Sequence, residues 1–198
     1  MRFLPALGIA AVLLSPIYSP VERMSEEIRY SVVSKNPDGR KVGKILRYLQ
    51  RVPEPMRAKL NGFGGEFVIF DRVSSLEGLG RSELILLSIA GAGYANKKAY
   101  VAENSETCGS SNGMTVPELH EAGHMVDEAY GFPSQNSRFR NLTPAALMGS
   151  YDHWAESYGR FYCDDNSNME LKEEFPDVHA YFFKFDAMNG NASVRVSR

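Results

Sequence analysis

The apolar positions Val42, Ile45, Leu46 and Leu49 recur at the spacing of one helical face, which predicts an amphipathic helix over residues 41–51. Pro53 and Pro55 stop it, and a shorter helix is expected through Met56 and Leu60, ending at Asn61 and Gly62. After Gly64 and Gly65 the run EFVIFD (66–71) is β-branched and aromatic, and predicts a strand. Residues 82–90 are apolar with no clear period, so strand and helix both fit, and Gly91, Ala92 and Gly93 break the run. Asn96 and Lys97 predict a turn into the strand KAYVAE (98–103). A small mixed sheet is thus expected in the first half of the chain.

The second half reads as helices. Thr115 and Glu118 are spaced as a capping box, and Pro117 falls in the first turn, where its missing N–H is harmless. The helix that starts there ends at Gly131 and Pro133, and a polar loop is expected to about Pro144. Helical regions are expected near 145–163 and 168–187, the latter capped by Ser167 with Glu170, and the tail 189–198 is polar. The pattern gives an α+β fold with a small mixed sheet packed on helices, in one domain over 21–188.

The first twenty residues change the picture of where the protein works. Arg2 precedes the apolar run from Phe3 to Leu14, which is too short to cross a bilayer and fits a secretory signal peptide over 1–20. An exported protein is expected, with no stable membrane association once the signal is removed. In that setting Cys108 and Cys163, the only two cysteines, can form a disulfide that clamps the loop before one helix to the end of another. A net charge of −2 with scattered Lys and Arg argues against nucleic acid as a partner, and a monomer is expected.

The chemistry lies in TVPELHEAGHMVD (115–127), which holds two of the chain's four histidines. His120 and His124 stand one turn apart on one helical face, so both imidazoles can reach a single Zn²⁺. Glu121 flanks that face, where a carboxylate can act as general base toward water. Asp127, one turn on, is a candidate to orient a ligand histidine. The plainer alternative is a surface helix with two solvated histidines, which explains neither the small Ala122 and Gly123 nor Asp127. The pattern HExxHxxGxxH is absent, so a third ligand comes from elsewhere. In GSYDHWAESYGRFY (149–162), Asp152 and Glu156 are spaced to share a helical face, one as ligand and one as orienting group. His153 reads as structural or exposed and His179 as a core or surface residue, while the aromatic stripes through Tyr158, Phe161, Tyr162, Phe182, Phe183 and Phe185 read as core packing.

HEAGHMVD followed by DHWAESYGRFY resembles the lethal-factor-like zinc metalloproteases, the anthrax lethal factor and Pro-Pro endopeptidase type, whose motifs look like HExGHxxD and EFFAEAF. The resemblance covers roughly residues 40–187 and is specific around the two helices. It implies a zincin-like α+β fold and a gluzincin-like endopeptidase, with zinc held by His120, His124 and an acidic residue and with Glu121 as general base. It implies a protein or peptide substrate, paired with KAYVAE as an edge strand through Tyr100, Val101 and Ala102. Two positions depart from the family pattern. Asp152 stands where the family's ligand glutamate is expected, so Asp152 by alignment, or Glu156, completes the site. Ala145 stands where the family has a tyrosine that assists the oxyanion, and Tyr151 is the nearest substitute. These departures keep a second outcome open, a zinc-binding module that binds proteins without cutting them.

Overall fold

Four strands and eight α-helices make up the described residues 28–104, 117–142 and 149–189 of a computed structural model. The signal segment 1–20, Cys108, the capping residue Thr115 and Ala145 lie outside those residues, as does all of the tail after Asn189. The first strand, β1 (Tyr30–Val33), leads into α1 (Gly39–Leu49), whose start is fixed by Asp38 accepting from the Arg40 N–H at 2.9 Å. Helix α2 (Glu54–Phe63) runs past Asn61 and Gly62 and stops at Gly64, which turns into the left-handed region at φ 91°. Strand β2 (Glu66–Phe70) is followed by α3 (Arg81–Ala90), so the ambiguous apolar run is a helix. Glu83 holds its start by accepting from the Gly80 N–H at 2.6 Å.

Strands β3 (Ala92–Ala95) and β4 (Lys98–Ala102) form a hairpin across Asn96 and Lys97, whose φ values of 53° and 63° are those of a two-residue type I′ turn. The sheet order is β1-β2-β4-β3, with β1, β2 and β4 parallel and β3 antiparallel to β4. This corrects the expectation for KAYVAE. Strand β4 is interior, and both its edges are taken, so Tyr100, Val101 and Ala102 have no free edge for a further strand. The reason is visible in the residues themselves. AYVA is apolar at every position, which suits a strand covered on both faces. Phe67, Ile69, Ala99 and Val101 face the main core, while Val68, Phe70, Tyr100 and Ala102 face Leu76 and Leu87. The sheet edge on that side is β3.

Helix α4 (Pro117–Ala129) packs on the main-core face of the sheet, and α6 (Ser150–Cys163) packs on α4. The expected loop after Gly131 contains a 3-10 turn at Pro133–Gln135 and the short helix α5 (Ser137–Arg140). The last helical region is two helices rather than one, α7 (Asp165–Glu174) and α8 (Pro176–Asn189). Pro176 cannot continue a helix, and it drives Phe175 to φ −135°. Asp164, not Ser167, caps α7, accepting from the Ser167 N–H at 2.8 Å.

The aromatic stripes are core or pack against it, except Phe183, which is 53% exposed on the outer face of α8. Trp154 is fully buried against Phe139, Tyr181, Phe182 and Phe185. His153 is buried between Phe139 and Phe175, and burial lowers its pKa. His179 lies within 3.0 Å of the Asn168 side-chain oxygen, so both histidines serve packing. Cys163 is buried at the end of α6 and disulfide-bonded.

Candidate metal centre

The two helices that carry the candidate residues meet where neither has bulk. A Cβ on Gly123 of α4 would lie 2.7 Å from the Ala155 Cα and 2.9 Å from its carbonyl oxygen on α6. This close crossing brings one turn of α4 against one turn of α6. Alanine exceeds glycine in helix propensity by about 1 kcal/mol, so propensity alone predicts that Gly123→Ala stabilises. The backbone contact reverses the sign. Forcing the helices apart costs about 1–3 kcal/mol. A thermal midpoint several degrees lower, with weaker metal binding, is the expected result for Gly123→Ala. An unchanged or raised midpoint would show that the crossing has slack.

His120, His124 and Asp152 converge at that crossing, each offering one ligand atom, all within 4.8 Å of one another. The Nε2 atoms of His120 and His124 are 3.1 Å apart, and the His124 Nε2 lies 3.6 Å from the Asp152 Oδ1. Zinc with tetrahedral ligands near 2.1 Å sets its donor atoms about 3.4 Å apart; the two shorter separations bracket that spacing, and the widest, up to 4.8 Å, closes by a small side-chain shift when an ion is held. Glu156 approaches from the other side of the ring, with its Oε2 3.3 Å from the His120 Nδ1. Of the two acidic candidates, Asp152 therefore stands with the candidate ligand atoms, and Glu156 stands against the far nitrogen of His120.

The solvated-helix alternative does not match α4. Glu121, Ala122, Gly123 and His124 are all buried, while Asp152 at the mouth is half exposed. Burial sets the protonation of the group. It pushes the Glu121 carboxyl up to about 7, partly offset by His120 and reinforced by Asp152. It pushes His124 down to about 3, helped by His120. His120 also feels burial, which lowers its pKa, but the hydrogen bond to Glu156 and the charges of Glu121, Glu156 and Asp152 outweigh it and raise the pKa. The Oε2 of Glu121 and the Nδ1 of His124 are buried with no hydrogen-bond partner among the described residues.

The remaining expected residues fall in different places. Tyr151 stacks on His124 with ring centroids 4.1 Å apart, and burial, followed by nearby carboxylates, raises its pKa. Asp127 does not orient a histidine. Both of its oxygens are engaged by Ser134, from the N–H at 2.7 Å and from the hydroxyl at 2.6 Å, which ties the end of α4 to the turn after it. Tyr100 faces Leu87 on the sheet side away from α4, and Val101 is fully buried in the main core. One neighbour of the cluster is absent from the sequence reading. Tyr94 on β3 stacks over His124 at 6.2 Å, and its hydroxyl donates to the Glu128 Oε2 at 2.7 Å. The turn at Asn96 and Lys97 carries the signal, because a two-residue hairpin puts Tyr94 beside Ala99 on the α4 face.

No protein-family model matches the chain, and no curated protein sequence matches it. Its fold is similar to that of the Pro-Pro endopeptidase PPEP-2 from Paenibacillus alvei, at a TM-score of 0.64 and 16% sequence identity. The likeness covers 79% of this chain and 96% of that one. It shows the fold, an α+β arrangement shared with a peptidase. Among the described residues no helix is long and apolar enough to cross a membrane.

Proposed function

We propose that the protein is an exported, zinc-dependent endopeptidase of the lethal-factor-like type. One observation carries this reading. Two imidazole nitrogens and one carboxylate oxygen lie within 4.8 Å of one another, with a second carboxylate, Glu121, buried beside them and its Oε2 without a hydrogen-bond partner among the described residues. His120, His124 and Asp152 would hold the ion. Zinc supplies Lewis acidity toward a peptide carbonyl and toward water at neutral pH.

The chain's own residues supply the rest. Glu156 accepts from the His120 Nδ1–H, which leaves Nε2 as the ligating atom and makes it more basic. Glu121, with a pKa near 7, takes a proton from the attacking water and returns it to the leaving amine. Tyr151 keeps its phenol proton and is the candidate donor to the developing oxyanion. The substrate is an extended peptide. Strand β3 is the sheet edge nearest the cluster, and it replaces β4 as the strand against which that peptide lies.

The test is digestion of a mixed peptide library with and without a chelator. Cleavage that stops on chelation and returns with zinc is the expected outcome. Stoichiometric zinc with no cleavage of any peptide would favour a binding module instead.

A further inference from the structure

The side of the sheet away from the metal cluster carries an apolar surface that the peptidase chemistry does not use. On α3, Ile85, Leu86 and Ile89 are 50%, 65% and 80% exposed. Leu86 also lines an open pocket of about 80 Å³ between α3 and the hairpin, together with Leu79, Leu87, Gly93, Ala95 and Tyr100. Sites for whole small molecules run to about 300 Å³ and more, so this pocket is the size for one side chain. Its one acidic neighbour, Glu83, has a carboxylate oxygen held by the Gly80 N–H.

The edge of β3 says what kind of chain reaches it. In a two-residue hairpin the residues flanking the turn, here Ala95 and Lys98, form a hydrogen-bonded pair. Alternation then points the backbone groups of Gly93 and Ala95 into β4, and those of Ala92 and Tyr94 outward. A peptide strand pairing antiparallel with Tyr94 sets one side chain on the α4 face, beside His124. Its neighbours, opposite Gly93 and Ala95, point to the α3 face. Gly93 has no side chain and Ala95 a small one, so the pocket stays open beneath them. A Cβ on Gly93 would meet the Leu87 Cδ2 at 2.9 Å.

We propose that this pocket is an apolar subsite of the peptidase, which takes a leucine-like side chain one residue away from the substrate residue that pairs with Tyr94. The substrates are therefore extended peptides with a large aliphatic residue at one fixed position relative to the cut. The proposal rests on the peptidase reading, and its experiment separates the two.

Capped octapeptides with Leu, Ala, Glu or Lys at each position in turn are digested by the full zinc-loaded chain and by Leu86→Lys, with Ile89→Lys as a control outside the pocket. Leu86 is exposed, so the lysine variant folds, which circular dichroism checks. The expected profile shows Leu preferred at one position by about tenfold or more in kcat/KM. Leu86→Lys removes that preference and shifts it toward Glu, and Ile89→Lys leaves it in place. A profile without an aliphatic preference, or one that Leu86→Lys does not alter, overturns the subsite while the peptidase reading stands. If the wild type cleaves nothing, the zinc-loaded chain is titrated with the best leucine peptide and followed by amide NMR. Shifts at Gly93 and Ala95 that Leu86→Lys abolishes support the subsite although the peptidase reading fails. Absent shifts overturn both. A dimer that Leu86→Lys converts to monomer, with the profile unaltered, assigns the face to a second copy and also overturns the subsite.

Discussion

Glu121→Gln is expected to lower kcat by about 10²- to 10⁴-fold while leaving zinc bound at one ion per chain. The substitution keeps the size of the side chain and removes its ability to take a proton. The wild-type carboxyl is suited to that task because burial brings its pKa to about 7, so it accepts and releases protons near neutral pH. It is not among the three residues whose ligand atoms converge, so metal content does not depend on it. Activity of the variant, measured on one good peptide beside elemental analysis of the same sample, checks both halves. A variant that keeps most of its activity would remove Glu121 from the mechanism. A variant that loses zinc would make Glu121 a ligand.

The second large effect separates two carboxylates one turn apart. Asp152→Ala is expected to abolish stoichiometric zinc, because Asp152 supplies the oxygen 3.6 Å from the His124 Nε2. Glu156→Ala is expected to weaken zinc by about 10- to 100-fold without abolishing it, because Glu156 acts on His120 from the Nδ1 side. Zinc affinity from competition with a chelator of known strength checks the pair. The reverse order of effects would exchange the roles of Asp152 and Glu156.

The parts of the site that follow from local helix geometry are legible in the sequence. His120 and His124 share a face because residues four apart on a helix always do, and the same holds for Asp152 and Glu156. Gly123 is legible as a small residue at a close approach, and the crossing with Ala155 is that approach. Parts that depend on strand order are not. YSVV of β1 and AGYA of β3 are four residues each, too short to show a period, and β1 finds its partner β2 only beyond two intervening helices. The family resemblance assigns the edge to β4, although its unbroken apolar run AYVA suits an interior strand, which it is. The spacing of Asp127 to His124 suggests an orienting group, but Ser134 in the following turn takes both its oxygens. Pro176 does carry a readable signal, the break between α7 and α8. The exposed Leu86 and Ile89 blur the period of α3, which is why that segment fits strand and helix alike.

X-ray absorption at the zinc edge of the purified protein decides whether His120, His124 and Asp152 hold an ion together. One zinc per chain is the expected result, with two imidazole nitrogens and oxygen neighbours at about 2.0–2.2 Å and no sulfur. A chain with no stoichiometric zinc, or a zinc with a sulfur neighbour near 2.3 Å, would contradict it.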